Sequence, residues 1–536
     1  MPINISQIAV AEIKDCSEKR AETPPSGKFR SILSRDGEFD TGKGTPGEPD
    51  FFRDLNLDQI VEAIIKGRDE YDLKLFFHTR PGDIKEIGYR HEVMRDLESE
   101  FLFQSIASFA AQMRTMREYA ESARSLYYKY QQKGWFLEAV ATYCEAVQTL
   151  LYNLVRGDPI SRGLVTFRQY LEEYIASAQF KTLLQETRKL KSDLAAIRYT
   201  VQIKGDLVVV RNYDLEIDYS VAVGETFARF KRGSPKDYRV QFRSTGMNHI
   251  EARILELVAQ LNPAVFQALD NYCSKNGLYL DKTIADFDRE IQFYVAWLEY
   301  TAAFKSAGLD FCYPQVSNTG KEIVGRNAFD LALAGKLLRQ NAPVVCNDFS
   351  LSVKERVLVV TGPNQGGKTT FARMLGQMHF LASLGCTVPG TEAKLFFFDG
   401  LFTHFEHEED IATLQGKLQS DLAGIYRILG NATTDSIIIL NEIFSSTTFQ
   451  DAAWLGRNIM ETILRLDAIC VCVTFLDELS TLSEKTVSLV AAVVPDDPTL
   501  RTYRIERKPA NGLSYALAIA RKYGLTREQL MERIKR

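Results

Sequence analysis

The sequence predicts a multidomain chain: an α-helical first part carrying a small β-rich insert, then an α/β domain from about residue 331 onward. Three observations predict this. At 536 residues the chain exceeds the roughly 250–300 residues that one hydrophobic core supports, so two or more domains are expected. Between Arg90 and Lys133 no glycine or proline interrupts apolar positions that recur every three or four residues, the pattern of a long amphipathic helix. After Pro314 short β-branched runs alternate with helical patterns, as in a parallel sheet with crossover helices.

Composition narrows the class further. The 65 Lys and Arg balance 69 Asp and Glu to a net charge of -4, and 45% hydrophobic with 25% charged residues is the mix of soluble globular chains. No uncharged apolar run reaches the ~18 residues of a membrane span, and Glu12, Lys14 and Asp15 interrupt the N-terminus, so neither a membrane span nor secretion is expected. Eight cysteines are scattered and never meet the six histidines at zinc-ligand spacing, which points to a reducing, cytoplasmic compartment. Cys470 and Cys472 alternate within a β-branched run, so both face one side of a strand, as buried small hydrophobes or, alternatively, as a redox pair.

Taken in order, residues 1–50 read as a tail or linker outside the core, because 22–50 are rich in Gly, Pro, Ser and charge without an apolar period. Residues 51–330 form the helical domain. Its long helix carries Phe101, Ile106, Phe109 and Met113 on one stripe, and an arm of about 40 residues would reach roughly 60 Å at 1.5 Å per residue. A second helix is predicted over about 164–199. Runs at 207–211, 219–223, 226–230 and 238–242 alternate or are β-branched and aromatic, giving a β-rich insert at about 205–245. Helices resume from Asn248 and include a stretch from Asp281 to Ala307.

The strongest motif follows the run RVLVVT (356–361): Gly362, Pro363, Asn364, Gln365, Gly366, Gly367, Lys368 and Thr369 match G-x-x-x-x-G-K-[ST] in full, with Thr370 next. The glycines let successive N–H groups converge on phosphate oxygens, Lys368 brings a positive charge to the outer phosphates, and the Thr369 hydroxyl is a magnesium ligand. Phe371, Met374, Leu375, Met378 and Leu381 then keep helical spacing. A second apolar run, SIIIL (436–440), ends in Asn441 and Glu442. The aspartate usual at that strand end is an asparagine, and Glu442 stands as candidate general base or, alternatively, as a surface strand end. With no N-K-x-D guanine reader and no L-S-G-G-Q run, ATP is the expected nucleotide with Mg2+ as its metal.

These residues resemble the MutS family of DNA mismatch-repair ATPases. TGPNQGGKTT (361–370) is similar to that family's T-G-P-N-x-x-G-K-S-T, DGLFT (399–403) to its D-x-I-F-T, and 431–442 to its N-A-T-x-x-S-L-V-L-x-D-E. Likeness also lies at 343–351 and 512–525, and weaker likeness at 55–61 and 89–97. The resemblance implies a helical lever with a clamp insert, then a P-loop ATPase domain of ABC type over 331–536. It covers about 51–536 and includes no counterpart of the family's mismatch-reading domain, so an ATP-dependent DNA clamp or damage sensor without the reader is expected. A homodimer paired through its ATPase domains is implied as well.

The resemblance also exposes departures. Gly416 aligns with the serine that reaches a partner's nucleotide, Val344 with an adenine-stacking aromatic, and Phe475 with a histidine, while 441–449 lose two glycines and an arginine. Nucleotide binding with slowed hydrolysis is the expectation. In the insert, Arg229, Lys231, Arg232, Lys236, Arg239 and Arg243 face only Asp237 in opposition, at the position of the family's clamp. Phosphate-backbone binding to duplex or branched DNA is one reading; a solvated hairpin is the other. The rival function is a hydrolysis-impaired scaffold that holds protein partners.

Overall fold

A computed structural model describes residues 29–35, 37, 47–205, 207–214, 247–405, 416–494, 497–510 and 523–534. Its described residues divide into two compact units, those within Met1–Phe29 and Asp96–Asp288 and those within Arg30–Arg95 and Arg289–Arg536, the boundary between Asp288 and Arg289 falling inside the helix Lys282–Ser306. Residues 30–95 and 289–330, which the sequence groups with the helical domain, therefore cluster with the α/β segment.

The single long helix expected between Arg90 and Lys133 is three, Ile84–Asp96, Glu100–Ser125 and the start of Lys129–Gly157. Glu100–Ser125 ends where Leu126 turns extended, and Lys129–Gly157 runs back along it, Tyr119 against Trp135 at 5.0 Å near the turn and Arg156 over Phe101 at 5.3 Å at the far end. Helices of 26 and 29 residues reach only about 40 Å each, so the 60 Å arm is corrected. The stripe is buried at Phe109, Met113 and Met116, with Phe109 beside the Phe287 ring at 6.1 Å and Met116 sulfur accepting from the Tyr279 hydroxyl at 3.0 Å. The helix expected over 164–199 is likewise split into Arg162–Ala176 and Ala178–Ala195 by Ser177, whose hydroxyl accepts from the Phe180 N–H at 3.2 Å and caps the second piece. Of the insert, β1 (Tyr199–Lys204) and β2 (Leu207–Asn212) pair antiparallel; the runs at 219–223, 226–230 and 238–242 lie outside the described residues. Asn248 opens the next helix with a reciprocal cap, accepting from the Glu251 N–H while the Glu251 carboxylate accepts its own.

The second unit holds the larger sheets. The short strands β3 (Phe311–Cys312), β4 (Gln315–Ser317), β5 (Ile323–Ala328) and β6 (Asn347–Leu351) come before β7 (Val357–Thr361). After it follow β8 (Val388–Pro389), β9 (Glu392–Phe396), β10 (Leu401–Phe405), β11 (Ile437–Asn441), β12 (Ile469–Val473), β13 (Thr486–Val494) and β14 (Asp497–Arg507). The main sheet runs β10-β11-β12-β7-β13-β14, parallel except for the antiparallel β14, as the alternation of strand and helix predicts. A second, mixed sheet, β4-β9-β5-β6, was not predicted. β7, β11 and β12 are buried along their whole length, which explains their unbroken β-branched runs. Cys470 and Cys472 share one core cluster with Val357, Val359, Ile438 and Leu440, and burial pushes the Cys472 thiol up to about 12, so both act as inert hydrophobes.

The segment set aside as tail is partly core. Ile32 and Leu33 are fully buried; Glu290 accepts from the Ser31 hydroxyl at 2.7 Å and the Ile32 N–H at 2.8 Å. Arg90, itself buried, donates to the Leu33 carbonyl at 2.9 Å and the Leu384 carbonyl at 2.7 Å. A short apolar pair between polar neighbours has no period, so only its partners reveal its burial.

Asp467 braces the amino ends of the main strands. It accepts from Lys485 at 2.7 Å before β13 and from Arg356 at 3.0 Å before β7, with Lys321 at 3.4 Å. Burial raises its pKa, but these cations outweigh burial and pull it down to about 2. Its φ of 61° is one that asparagine also tolerates, so Asp467→Asn removes charge without backbone strain. We expect that variant to lose about 1–2 kcal/mol at pH 7 in urea unfolding, since three cations lose their counter-charge. Because the folded carboxyl is the stronger acid, the wild-type advantage is complete above the ordinary value of 3.8 and shrinks as pH falls toward about 2.

Candidate functional site

The glycine-rich loop joins β7 to the helix Lys368–Ser383 at the carboxyl end of the sheet. Its path needs glycine for two different reasons. Gly362 and Gly367 have φ of 115° and 92°, open to glycine alone without strain. Gly366 is a matter of space: a Cβ there would lie 2.9 Å from the Pro363 carbonyl oxygen and 3.0 Å from Ala491 Cβ on β13. The loop thus packs against the neighbouring strand through bare backbone, while Asn364 and Gln365 stay exposed at its tip.

Lys368 opens the helix with its side chain 4% exposed. Its ammonium donates to the Gly362 carbonyl at 3.1 Å, the Pro363 carbonyl at 3.3 Å and Asn364 Oδ1 at 3.2 Å, with Glu442 Oε1 at 3.5 Å. Burial lowers its pKa, the Glu442 carboxylate opposes that, and the nearby Arg501 charge adds to the lowering. One residue on, the Thr369 hydroxyl donates to Asn441 Oδ1 at 2.8 Å, tying this helix to the end of β11 across the intervening β12. Thr370 is half-buried in the same first turn.

Glu442 follows Asn441 with φ of 54°, and its N–H donates to the Val473 carbonyl at 2.9 Å. Phe444 is also left-handed, at 63°. Asp421 steadies this turn, accepting from the Phe444 N–H at 3.4 Å and pairing with His404 Nε2 at 3.0 Å. The loop, Lys368, Thr369, Asn441 and Glu442 are therefore brought together as their spacing predicts. Their N–H groups and ammonium offer an anion a positive cradle, with a hydroxyl, an amide oxygen and a carboxylate on its rim.

The remaining predicted positions are more peripheral. Gly416 stands at the N-cap of the helix Lys417–Asn431, and among the described residues nothing lies within 4 Å of where a Cβ would stand. Phe475 is 45% exposed with its ring 6.3 Å from that of Phe449. Val344 is half-buried just before β6, in a segment tied to β14: Arg504 donates to the Cys346 carbonyl at 3.2 Å and Asn347 Nδ2 to the Tyr503 carbonyl at 3.1 Å. Arg229, Lys231, Arg232, Lys236, Arg239 and Arg243 lie outside the described residues. Sequence reading missed β14 altogether. Arg501 Nε donates to the Asn364 carbonyl at 3.2 Å, and Tyr503 backbone passes 3.7 Å from where a Gly367 Cβ would stand. Among the described residues no group of three or more His, Cys, Asp and Glu could hold a metal, and no helix is long and apolar enough to cross a membrane.

The family described as MutS domain V matches residues 358–535. The endonuclease MutS2 of Gemmatimonas aurantiaca is 33% identical over 189 residues, 35% of this chain and 23% of that protein. The DNA mismatch repair protein MutS of Syntrophomonas wolfei is 30% identical over 223 residues, 40% of this chain and 25% of the relative. That of Chlorobium phaeovibrioides is 27% identical over 287 residues, 52% and 31% respectively. The chain spans between about a quarter and a third of the length of these relatives.

Space at Gly366 makes a direct check. Gly366→Ala should push the loop off Ala491, lowering stability by roughly 1–2 kcal/mol in urea unfolding and ATP affinity at least about tenfold in calorimetric titration. An unchanged affinity would mean that the close approach does not shape the cradle.

Proposed function

We propose, from the match of MutS domain V to residues 358–535, that the chain is a MutS-family protein and an ATP-dependent DNA-binding clamp acting in DNA repair or recombination. The observation that carries this reading is the meeting of Lys368, Thr369, Asn441 and Glu442 at the carboxyl ends of β7 and β11, where open α/β sheets bind ligands. ATP phosphates would take the loop amides, and Lys368 would exchange the Gly362 and Pro363 carbonyls for outer phosphate oxygens. Thr369 and Asn441 offer two oxygens 2.8 Å apart, a set that fits Mg2+, with the hydroxyl as ligand and the amide accepting from a metal-bound water. Mg2+ supplies charge neutralisation on the phosphates when bound. Once phosphate draws Lys368 away, Glu442 is released to take a proton from the attacking water.

Three features slow that chemistry. Asn441 brings no negative charge to the metal, Glu442 begins as the partner of Lys368, and the Phe475 ring neither donates nor accepts a proton. The Lys368–Glu442 pair also favours the second reading, a nucleotide-stabilised scaffold for protein partners. DNA enters through the basic residues at 229–243, which would hold phosphates without reading bases. We place the protein in the cytoplasm as a homodimer, because a clamp needs a second arm to close around a duplex.

Two measurements test the proposal. Steady-state assays should give slow ATP turnover that rises in Asn441→Asp and falls about 10²–10⁴-fold in Glu442→Ala, with nucleotide binding itself lost in Lys368→Ala. Brisk wild-type turnover unaffected by Asn441→Asp would contradict the metal argument. For DNA, replacing Lys231, Arg232, Lys236 and Arg239 by Ala should weaken binding across sequences and reduce the slope of log K against log salt by roughly three to four. Unchanged affinity and slope on mismatched, branched and perfect duplexes would remove the clamp assignment.

A further inference from the structure

Glu442 leaves β11 through a turn that its residue types resist. Its own φ is 54° and that of Phe444 is 63°, the left-handed region that side chains other than glycine enter at a cost. Strain of this kind persists only where neighbours hold it. On one side Glu442 is fixed by its own N–H, which donates to the Val473 carbonyl of β12 at 2.9 Å. Two residues on, the Phe444 ring is fully buried in one core cluster with Ile425, Ile428 and Ile443, and the Phe444 N–H donates to Asp421 Oδ2 at 3.4 Å. Glu442 is thus held from both sides.

Asp421 is itself fixed. It sits in the second turn of the helix Lys417–Asn431, buried, and its other oxygen, Oδ1, pairs with His404 Nε2 at 3.0 Å. Gly424, three residues on and on the same helix face, gives the His404 ring its room: a Cβ there would stand 2.8 Å from ring atoms Cε1 and Nδ1. His404 lies on β10 opposite Leu440 in the parallel pairing with β11, one step before the pair Phe405 and Asn441. The chain of contacts therefore starts and ends at the same two strands. Hydrogen bonding between β10 and β11 sets where His404 stands relative to Asn441, and Asp421 passes that placement on to Phe444.

We propose that Asp421 is a positioning residue for the Glu442 base: by accepting from Phe444 it holds the left-handed turn that aims the Glu442 carboxylate, and His404 holds Asp421 in place for that task. A buried N–H that loses its acceptor is costly, so without Asp421 the turn relaxes toward negative φ, where Phe444 sheds its strain. That relaxation rotates the backbone at 444 and carries Glu442 with it. A base displaced by about 1 Å loses on the order of 10²-fold in rate. The loop amides and Lys368, which keeps its loop carbonyls and Asn364, stand on other elements, so nucleotide affinity is spared.

This inference rests on the hydrolysis reading above, and the test separates the two. The full chain would be compared as wild type, Asp421→Ala, Asp421→Asn and Asp421→Glu. ATP affinity would come from calorimetric titration, the cleavage rate from single-turnover assays in Mg2+, and the state of the turn from amide hydrogen exchange over residues 441–447. Asp421→Ala should slow cleavage by about 10–10²-fold with ATP affinity within about threefold of wild type, and exchange at 441–447 should quicken. Asp421→Asn keeps an oxygen that accepts from Phe444 and should recover most of the rate. If Asp421→Ala does not fold, Asp421→Glu decides, since it keeps the charge but displaces the accepting oxygen: cleavage should slow about tenfold at unchanged affinity. Wild-type rates in the Ala or Glu variant overturn the inference and leave hydrolysis by Glu442 standing. An affinity loss as large as the rate loss, or an Asp421→Asn as slow as Asp421→Ala, gives Asp421 a different role and also overturns it. Wild type that binds ATP without cleaving it removes both the base and its positioning residue, and wild type that binds no ATP sinks the nucleotide reading as well.

Discussion

The approach of the glycine-rich loop to β13 governs the second unit. Gly362 and Gly366 lie so close to Ala491 that any Cβ at either position would stand 3.0–3.1 Å from its atoms. Backbone against backbone at this spacing leaves no side-chain layer between loop and sheet, so the loop can move only with β7 and β13. That rigidity sets where the helix Lys368–Ser383 begins, and hence where its N–H groups point. A longer side chain would swing the cradle away from the sheet, and Lys368 with it.

Under the proposed function, charge would separate binding from turnover. The buried Lys368 ammonium is satisfied by loop carbonyls, Asn364 and Glu442, so it stays in place without an external anion. An anion that replaces those carbonyls offers a better partner, since a phosphate oxygen carries charge and a carbonyl does not. Hydrolysis asks for more. It needs a firmly held metal and an unencumbered base, and here the strand-end residue is neutral and the candidate base begins in an ion pair. Holding a nucleotide and cleaving it would thus rest on different residues of one site.

The opposite end of the same sheet is built for cohesion. Asp467 gathers Arg356 and Lys485 where β7 and β13 begin, with Lys321 from just before β5 of the second sheet, and Arg90 fastens the 31–33 segment from within the core. Functional groups at the carboxyl ends can then carry positive φ and buried charge, because the amino ends hold the strands in register. The left-handed Glu442, Phe444 and Tyr503 are strained positions that only a fixed sheet sustains.

The sequence alone determined the nucleotide half of this protein. The loop from Gly362 to Thr369, the apolar run ending at Asn441 and Glu442, and the alternation of strand and helix are local patterns, each readable within a few neighbours. Tertiary structure decided what local patterns do not encode. The break at Leu126 turns Lys129–Gly157 back along Glu100–Ser125, which a continuous period cannot announce. Ile32 and Leu33 are core because Glu290 and Arg90, distant in sequence, satisfy the backbone around them. Arg501 reaches the loop only because β14 runs antiparallel to β13 and slips register twice, and pairing between strands is a long-range choice that a single strand's residues leave open.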